Sequence, residues 1–399
     1  MPDVRSQPLD ARRVLSKVPE VTIFFWIIKV LCTTVGESAA DYLNTTLKFG
    51  LTGTSLVTGV VLVGALVLQF RADRYAPVRY WVTVALLSVF GTLVTDNLTD
   101  HFGVALTTST IVFSVLLGLT FLGWYLSEGS LSIHSIYTTR RESFYWLAVL
   151  FSFALGTATG DLVAENLGFG YSTTALMVAG LIALTALAWR LGLNPILSFW
   201  IAYVLTRPLG AAAGDLLAQP DSHGGLGWGT TVTSVVFLAA IGAVIVFLSV
   251  TKIDTGTGAD PVEEPADTSK GGLLQTVIVL VVVLVVGVVG FNVRMNSLAT
   301  DATSSSASGS GLGDLSSLRT ITQSALDAVA AGNTSAAKKS ADDLEREWDL
   351  SVSQLKPKDG AAWNVIDKKI DTVLSQLRAG QPDAASENQA LQNLMTSLG

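Results

Sequence analysis

Four carboxylates stand at equivalent positions inside apolar segments, and they are the residues of this chain best suited to chemistry. In each copy a tryptophan is followed ten residues later by a glycine, and five residues after that by an aspartate. The four frames are Trp26/Gly36/Asp41, Trp81/Gly91/Asp96, Trp146/Gly156/Asp161 and Trp200/Gly210/Asp215. A carboxylate in an apolar membrane segment is costly and points to an ion pathway or binding site. Agreement at three positions across four copies identifies a tandem repeat over the first ~250 residues.

The copies differ most in the charged residues near the glycine. The position after the glycine is occupied, in chain order, by Glu37, Thr92, Thr157 and Ala211. Repeat one also carries Lys29 deeper in its apolar segment, and repeat four carries Arg207 and Pro208 just before its glycine. Proline removes a main-chain hydrogen bond, so the segment around Pro208 is expected to kink or break.

Two deep cations, Lys29 and Arg207, require carboxylate partners. Within the same helix Glu37 lies two turns from Lys29, and Asp215 lies two turns from Arg207. Any other partner has to come from a neighbouring helix. Glu37, Lys29 and Arg207 therefore join the four aspartates as candidate site residues.

The composition is that of a polytopic membrane protein. Half of the residues are apolar, only 14% are charged, and apolar runs of about 20 residues recur. We expect nine spans, near 20–41, 51–70, 80–98, 105–126, 144–163, 173–192, 195–217, 229–250 and 272–291. The net charge of −7 gives no nucleic-acid footprint. The single cysteine, Cys32, excludes an intramolecular disulfide and a cysteine metal cluster.

The loop charges predict the orientation. Arginine and lysine are concentrated before the first span and between spans two and three, four and five, six and seven, and eight and nine. The positive-inside rule then places the N-terminus in the cytoplasm of a bacterial cell, with the protein in its inner membrane. An odd number of spans sends the C-terminus outside. All four repeats share one direction, so they are expected to form a bundle about an axis along the membrane normal.

The spacing within a frame places its residues on a helix. Fifteen residues correspond to about 22 Å of rise and about 60° of net rotation, so the tryptophan and aspartate share a face at opposite ends of the helix. The glycine is rotated away from that face and lets a neighbouring helix approach closely.

The chain changes character after repeat four. Its expected organisation is a cytoplasmic segment (1–19), the eight-helix repeat domain (20–250), an acidic linker (251–271), a ninth span (272–291), a flexible spacer (292–313) and an extracytoplasmic helical bundle (314–399). Apolar residues at helical spacing in 314–398 predict three or four amphipathic helices, broken near 332, 357–360 and 380–383. The expected fold class is thus all-α.

Two interpretations of the aspartates stay open. They cap helix ends at the outer surface, or they cluster about a common axis, where like charges require a cation or a shifted protonation state. In the second case Asp41, Asp96, Asp161 and Asp215 would bind a divalent metal, the one cofactor that the sequence suggests. The pairs Asp100/His101 and Asp221/His223 are compatible with such a metal but too sparse to specify one.

The repeat resembles that of a family of uncharacterised bacterial membrane-anchored proteins. The resemblance covers roughly residues 20–250 and depends on all four copies of the Trp-x9-Gly-x4-Asp frame. It implies the architecture of four two-helix repeats and no activity.

Three function classes remain. The first is a secondary transporter or channel for a small cation, plausibly a divalent metal, with proton exchange as a coupling. The second is a membrane-anchored sensor or scaffold, whose extracytoplasmic bundle binds a ligand or partner or mediates homo-oligomer formation. The third is a membrane-embedded enzyme that acts on a lipid-phase substrate. Phosphate loops, nucleotide fingerprints and nucleophile–base pairs are missing from the sequence, which disfavours an ATP-driven pump. The expected partners are the lipid bilayer and a small cation, without nucleic acid.

Overall fold

The computed structural model describes residues 16–43, 50–102, 104–220, 225–255, 270–305, 312–356, 358–379 and 383–399. These residues form thirteen helices and no strand. The chain divides into two compact units, one of residues 1–162 and 171–283 and the other of residues 163–170 and 284–399.

The repeats form eight helices, two per repeat, that are long and apolar enough to cross a membrane. In chain order they are α1 (Ile23–Asp41), α2 (Gly50–Phe70), α3 (Pro77–Asp96), α4 (Leu106–Glu128), α5 (Thr139–Asp161), α6 (Gly170–Arg190), α7 (Pro195–Ala218) and α8 (Gly229–Thr251). Thr22 and Thr138 cap α1 and α5 by accepting main-chain hydrogen bonds. Proline opens α3 and α7, at a position where a helix tolerates it well. The first eight predicted spans are confirmed as helices.

The first helices of the repeats surround the centre of the repeat region. The helix α1 packs against α3, α3 against α5, α5 against α7, and α7 against α1, which closes a ring of four. Around it, α2 packs on α3, α4 on α5 and α8 on α1. In the apolar windows of the ring helices, 50–61% of the residues are buried, against 11–28% in the second helices. The ring is therefore the core, and the second helices present apolar surface of the kind that faces lipid.

The ninth span stays a prediction. Its sequence lies within the helix α9 (Lys270–Ser305), whose described apolar part, Val281–Ser297, is shorter than the other eight. Within the segment 292–313, where a flexible spacer was expected, α9 continues through residues 292–305. These residues contain no glycine or proline to end the helix. Most of the acidic linker, 256–269, lies outside the described residues.

Four amphipathic helices follow, α10 (Ser316–Ala330), α11 (Thr334–Leu355), α12 (Gly360–Leu377) and α13 (Ala384–Ser397). Each packs against two others in the order α10, α11, α12, α13 and back to α10. The apolar residues at helical spacing in 314–398 form the core of the bundle, because Leu344, Trp348, Trp363 and Ile370 are all buried. The indole of Trp348 stacks on Trp363 and donates a hydrogen bond to Asp367 at 2.7 Å. This bundle has a hydrophobic core of its own.

Candidate functional site

A fully buried arginine occupies the middle of the helix ring. The Nη1 of Arg207, on α7, donates to the main-chain oxygen of Thr33 at 2.9 Å. Its Nη2 donates to a carboxylate oxygen of Glu37 at 2.8 Å, to the hydroxyl of Thr157 at 2.7 Å, and to the hydroxyl of Thr92. One guanidinium thus contacts four oxygen atoms from the other three ring helices.

Three of these oxygens come from one repeat position. Glu37, Thr92 and Thr157 each follow the frame glycine of their own repeat, and the fourth repeat has Ala211 there. The fourth repeat therefore has no polar side chain at this position. Arg207, one turn earlier in the same helix, places its guanidinium among the other three side chains instead. The charged residues that distinguish the first and fourth repeats, Glu37 and Arg207, thus form one ion pair.

The frame glycines bring the ring helices into contact. A methyl group on Gly36 would overlap Ser88, one on Gly91 would lie 2.9 Å from Cβ of Phe153, one on Gly156 would overlap Arg207, and one on Gly210 would overlap Thr33. Each contacted residue lies three positions before the glycine of the next repeat. The four contacts are equivalent and close the ring, so the repeats stand parallel and in register.

Of the two alternatives left open for the deep cations, a partner in the same helix and a partner from a neighbouring helix, Arg207 takes the second. The Nζ of Lys29 lies 3.8 Å from the ring centre of Phe153 and 4.1 Å from that of Tyr203, and it has no hydrogen-bond partner among the described residues. Glu37 pairs instead with Arg207, across helices. Spacing along one helix cannot identify such a partner, because it depends on which helices are neighbours. The fully buried Lys29 is held by aromatic faces.

The four aspartates lie at or near the ends of the ring helices, and a metal site formed by them stays a prediction. Among the residues that the structure describes, no three histidine, cysteine, aspartate or glutamate side chains are grouped to hold a metal ion. Asp41, Asp96 and Asp161 are partly exposed at the final residues of α1, α3 and α5, and Asp215 is buried near the end of α7. The aspartates lie one turn beyond the layer that contains Glu37. The frame glycines bring the ring helices closest together beside Glu37, not at the aspartates. The side chains of the two Asp/His pairs lie outside the described residues.

Comparison with known families recovers the same four repeats. The family described as Repeat of Unknown Function (DUF347) matches residues 24–75, 79–130, 144–191 and 198–254, together just over half of the chain. The chain belongs to the DUF347 family. No curated protein and no solved structure matches it.

The fourth DUF347 repeat accommodates Pro208 without losing its helix. The helix α7 runs unbroken from Pro195 to Ala218, so of the expected kink or break the break is absent, and the kink stays a prediction. The hydroxyl of Thr33 donates to the main-chain oxygen of Thr206 at 3.0 Å. Pro208 thus follows Arg207 directly, at a point where α1 forms a hydrogen bond with the backbone of α7.

A second polar cluster, at the opposite end of the repeats from the aspartates, was missed in the sequence. Lys17 donates to Glu142 at 2.7 Å and to the main-chain oxygen of Phe70 at 3.1 Å, with both charged side chains buried. Gln69 donates to the other oxygen of Glu142 at 3.3 Å. These residues lie close to basic loops, and basic residues in loops are most simply interpreted as determinants of membrane orientation. The sequence therefore did not identify Lys17, Gln69 and Glu142 as a cluster.

The same end contains a buried acid that sequence reasoning assigned to the linker. The hydroxyl of Tyr75 donates to Asp254, whose side chain is only 2% exposed, and the indole of Trp81 donates to the Tyr75 hydroxyl at 3.2 Å. Burial raises the pKa of Asp254, although the hydrogen bond from Tyr75 opposes the shift. Burial, and then the hydrogen bond to Asp254, raise the pKa of Tyr75, which stays a neutral donor.

Proposed function

We propose that the DUF347 repeats of this protein transport a small monovalent cation, and that Arg207 occupies the cation site when the transported ion is absent. The observation that carries the proposal is the set of four oxygens around its guanidinium. They are a carboxylate oxygen of Glu37, the hydroxyls of Thr92 and Thr157, and the main-chain oxygen of Thr33.

These oxygens are the ligand types that hard cations prefer. Carboxylate, hydroxyl and carbonyl oxygens bind ions such as Na⁺ and K⁺ when water is excluded, as carbonyl oxygens do in ion channels. A single carboxylate balances one positive charge. Divalent ions are generally bound by more charged oxygens, and the described residues offer no group of three metal ligands. The charge balance therefore favours a monovalent ion over the divalent metal expected from the aspartates.

Lys29 provides a means of coupling cation transport to the movement of a proton. The core contains two basic side chains, Lys29 and Arg207, and Glu37 pairs with Arg207. A further cation cannot enter at low cost unless a positive charge leaves, because buried charge without a partner is expensive. Loss of a proton from Lys29, which among the described residues contacts the aromatic rings of Phe153 and Tyr203, would compensate for an entering cation. Cation–proton exchange follows from this balance.

A flux measurement in proteoliposomes tests the proposal. The full-length protein should move Na⁺ or K⁺ down an imposed gradient, with protons moving in the opposite direction. Glu37→Gln should reduce this flux to the level of empty vesicles, because it removes the only charged ligand of the four. The matched control, Asp343→Asn, changes a carboxylate in the helical bundle that pairs with exposed basic residues, and should behave as the wild type.

Equal flux in the wild type and in Glu37→Gln would contradict the proposal and favour the sensor or scaffold function. A flux of Mn²⁺ or Mg²⁺ that depends on Glu37, without Na⁺ or K⁺ flux, would contradict the monovalent assignment alone. The four aspartates would then return as the candidate site.

A further inference from the structure

The segment of residues 16–21, here called the strap, lies across one end of the helix ring. Its contacts connect it to four separate parts of the repeat region. The main-chain N–H of Lys17 donates to the oxygen of Ile136 at 2.9 Å, and that of Tyr75 donates to the oxygen of Ser16 at 2.9 Å. Gln69 donates to the main-chain oxygen of Lys17 at 3.3 Å. The strap therefore connects the end of α2 with the loop between α2 and α3 and the loop between α4 and α5.

The strap's last connection is to the segment after α8. The main-chain N–H of Glu20 donates to the main-chain oxygen of Asp254 at 3.0 Å. The carboxylate of Asp254 receives the Tyr75 hydroxyl on one oxygen, and its other oxygen has no hydrogen-bond partner among the described residues. An ionised carboxylate in this position would keep one buried oxygen without a hydrogen-bond partner among the described residues, which is unfavourable.

We propose that Asp254 is a proton-binding site, and that the proton bound there holds the strap in place over this end of the ring. Release of the proton leaves a buried charge beneath the strap, and the strap opens to let water reach it. That the opened strap admits ions to the Arg207 site rests on the proposed function. The proton site itself does not.

The sign of the pH dependence follows from the environment of Asp254. Burial raises its pKa above the ordinary value for an aspartate. A group that binds its proton more tightly in the closed state stabilises that state while it is protonated. The stabilisation is complete below the ordinary pKa of an aspartate and is lost as the pH rises through the raised value. The strap should therefore close in acid and open toward alkaline pH.

The effect of Asp254 on strap opening has to be distinguished from the effects of other charged groups nearby. On the strap, Glu20 lies 3.5 Å from His134, which is charged only when protonated. Lys17 of the strap pairs with Glu142 of α5. Lys252 is exposed on the segment that carries Asp254, and Tyr75 is the titratable group in direct contact with it. The pair His134–Glu20 involves the strap directly, so it is the main competing explanation.

Thiol labelling measures strap opening without any transport assay. Val18, in the strap, is 5% exposed. The probe is Val18→Cys in full-length protein with Cys32→Ala, labelled with a water-soluble maleimide over a range of pH. Rates are divided by those of Arg71→Cys, an exposed position in the next loop, in the same background, which corrects for thiol ionisation.

We expect the corrected rate to rise with pH by up to about tenfold per pH unit, the limit for one proton. Asp254→Asn should keep the rate low at all pH values, because the amide stays uncharged. Tyr75→Phe should move the rise to higher pH, because it removes a hydrogen bond that favours the carboxylate. His134→Gln should leave the rise in place.

A rise that survives unchanged in Asp254→Asn, or disappears in His134→Gln, would overturn the inference. So would a wild-type rate that is independent of pH. If Asp254→Asn does not fold, Tyr75→Phe carries the test, and an unshifted rise then overturns it. Labelling as expected in a protein that moves no cation would overturn the proposed transport and leave the proton site standing.

Discussion

The pair formed by Arg207 and Glu37 is costly, and its hydrogen bonds explain how the ring tolerates it. Removing two charges from water costs several kcal/mol per ion, roughly, and the attraction between them repays this only with good geometry and further hydrogen bonds. Here Thr33, Thr92 and Thr157 supply those bonds. The Nε of Arg207 has no partner among the described residues. One buried donor of the pair is thus unsatisfied, which adds to the cost of the pair.

Substitution of either partner should therefore be more harmful than substitution of both. Arg207→Met leaves Glu37 buried without a counter-charge and should cost about 3–5 kcal/mol. The double variant with Glu37→Gln should recover most of that loss. Thermal unfolding in detergent measures both. In Arg207→Met alone, Na⁺ or K⁺ should raise the melting temperature in a saturable way, because the ion takes the place of the guanidinium.

The exposed pair Lys339–Asp343 provides the control. It has a short N–O distance of 2.6 Å, but the lysine is 77% exposed. Exposed pairs contribute roughly 0–1 kcal/mol, so Lys339→Met should have little effect. A double variant no more stable than Arg207→Met, or a melting temperature indifferent to both ions, would count against a cation site at Glu37.

The sequence identifies the charged residues of the site but not how they pair. Lys29, Glu37 and Arg207 stand out because they are charges in apolar helices, and the repeat frame shows that Glu37 and Ala211 occupy equivalent positions. Their pairing depends on contacts between helices, which a single-helix spacing rule does not contain. Asp254 was missed because it lies between a lysine and a glycine-rich acidic stretch, a composition typical of linkers.

At the level of the helices, the frame glycines determine which side chains meet. Each glycine admits a residue of the next ring helix at a distance that a methyl group would block. Apolar runs and repeat spacing are strong signals of helix position, so the eight repeat helices could be predicted closely. The end of α9 could not, because serine and alanine are compatible with both helix and spacer.

Gly156→Ala should destabilise the ring. The added methyl group would overlap the side chain of Arg207 and lie 3.0 Å from Cδ of Pro208, so α5 and α7 would have to separate. Overpacking of this kind costs about 1–3 kcal/mol, and a shift of Arg207 should also lower cation flux. Gly180→Ala on α6 is the control, because no atom lies within 4 Å of the added methyl group.

Thermal unfolding and flux of the two glycine variants decide the point. Alanine favours helix over glycine by about 1 kcal/mol, so Gly180→Ala should be neutral or slightly stabilising. Equal stability of the two variants would mean that the ring helices do not approach as closely as the frame requires.

For the whole molecule, the sequence predicts one further membrane crossing after repeat four, between the repeat region and the bundle. Each unit has its own hydrophobic core, which explains why apolar periodicity alone could separate them. The side of the membrane on which each terminus lies depends on loop charge alone. That charge asymmetry is a property of insertion rather than of packing, so it needs a measurement in cells.

Two introduced cysteines test this arrangement. Lys252 is exposed after α8, and Ser324 is exposed on α10, so a single crossing by α9 should place them on opposite sides of the membrane. In a Cys32→Ala background, Ser324→Cys should react with a membrane-impermeant maleimide on intact cells, and Lys252→Cys should react only after permeabilisation. The physical reason is the excess of arginine and lysine in the loops on the side of Lys252. Labelling of both positions from the same side would show that α9 does not cross the bilayer, and labelling of Lys252→Cys alone would reverse the predicted orientation.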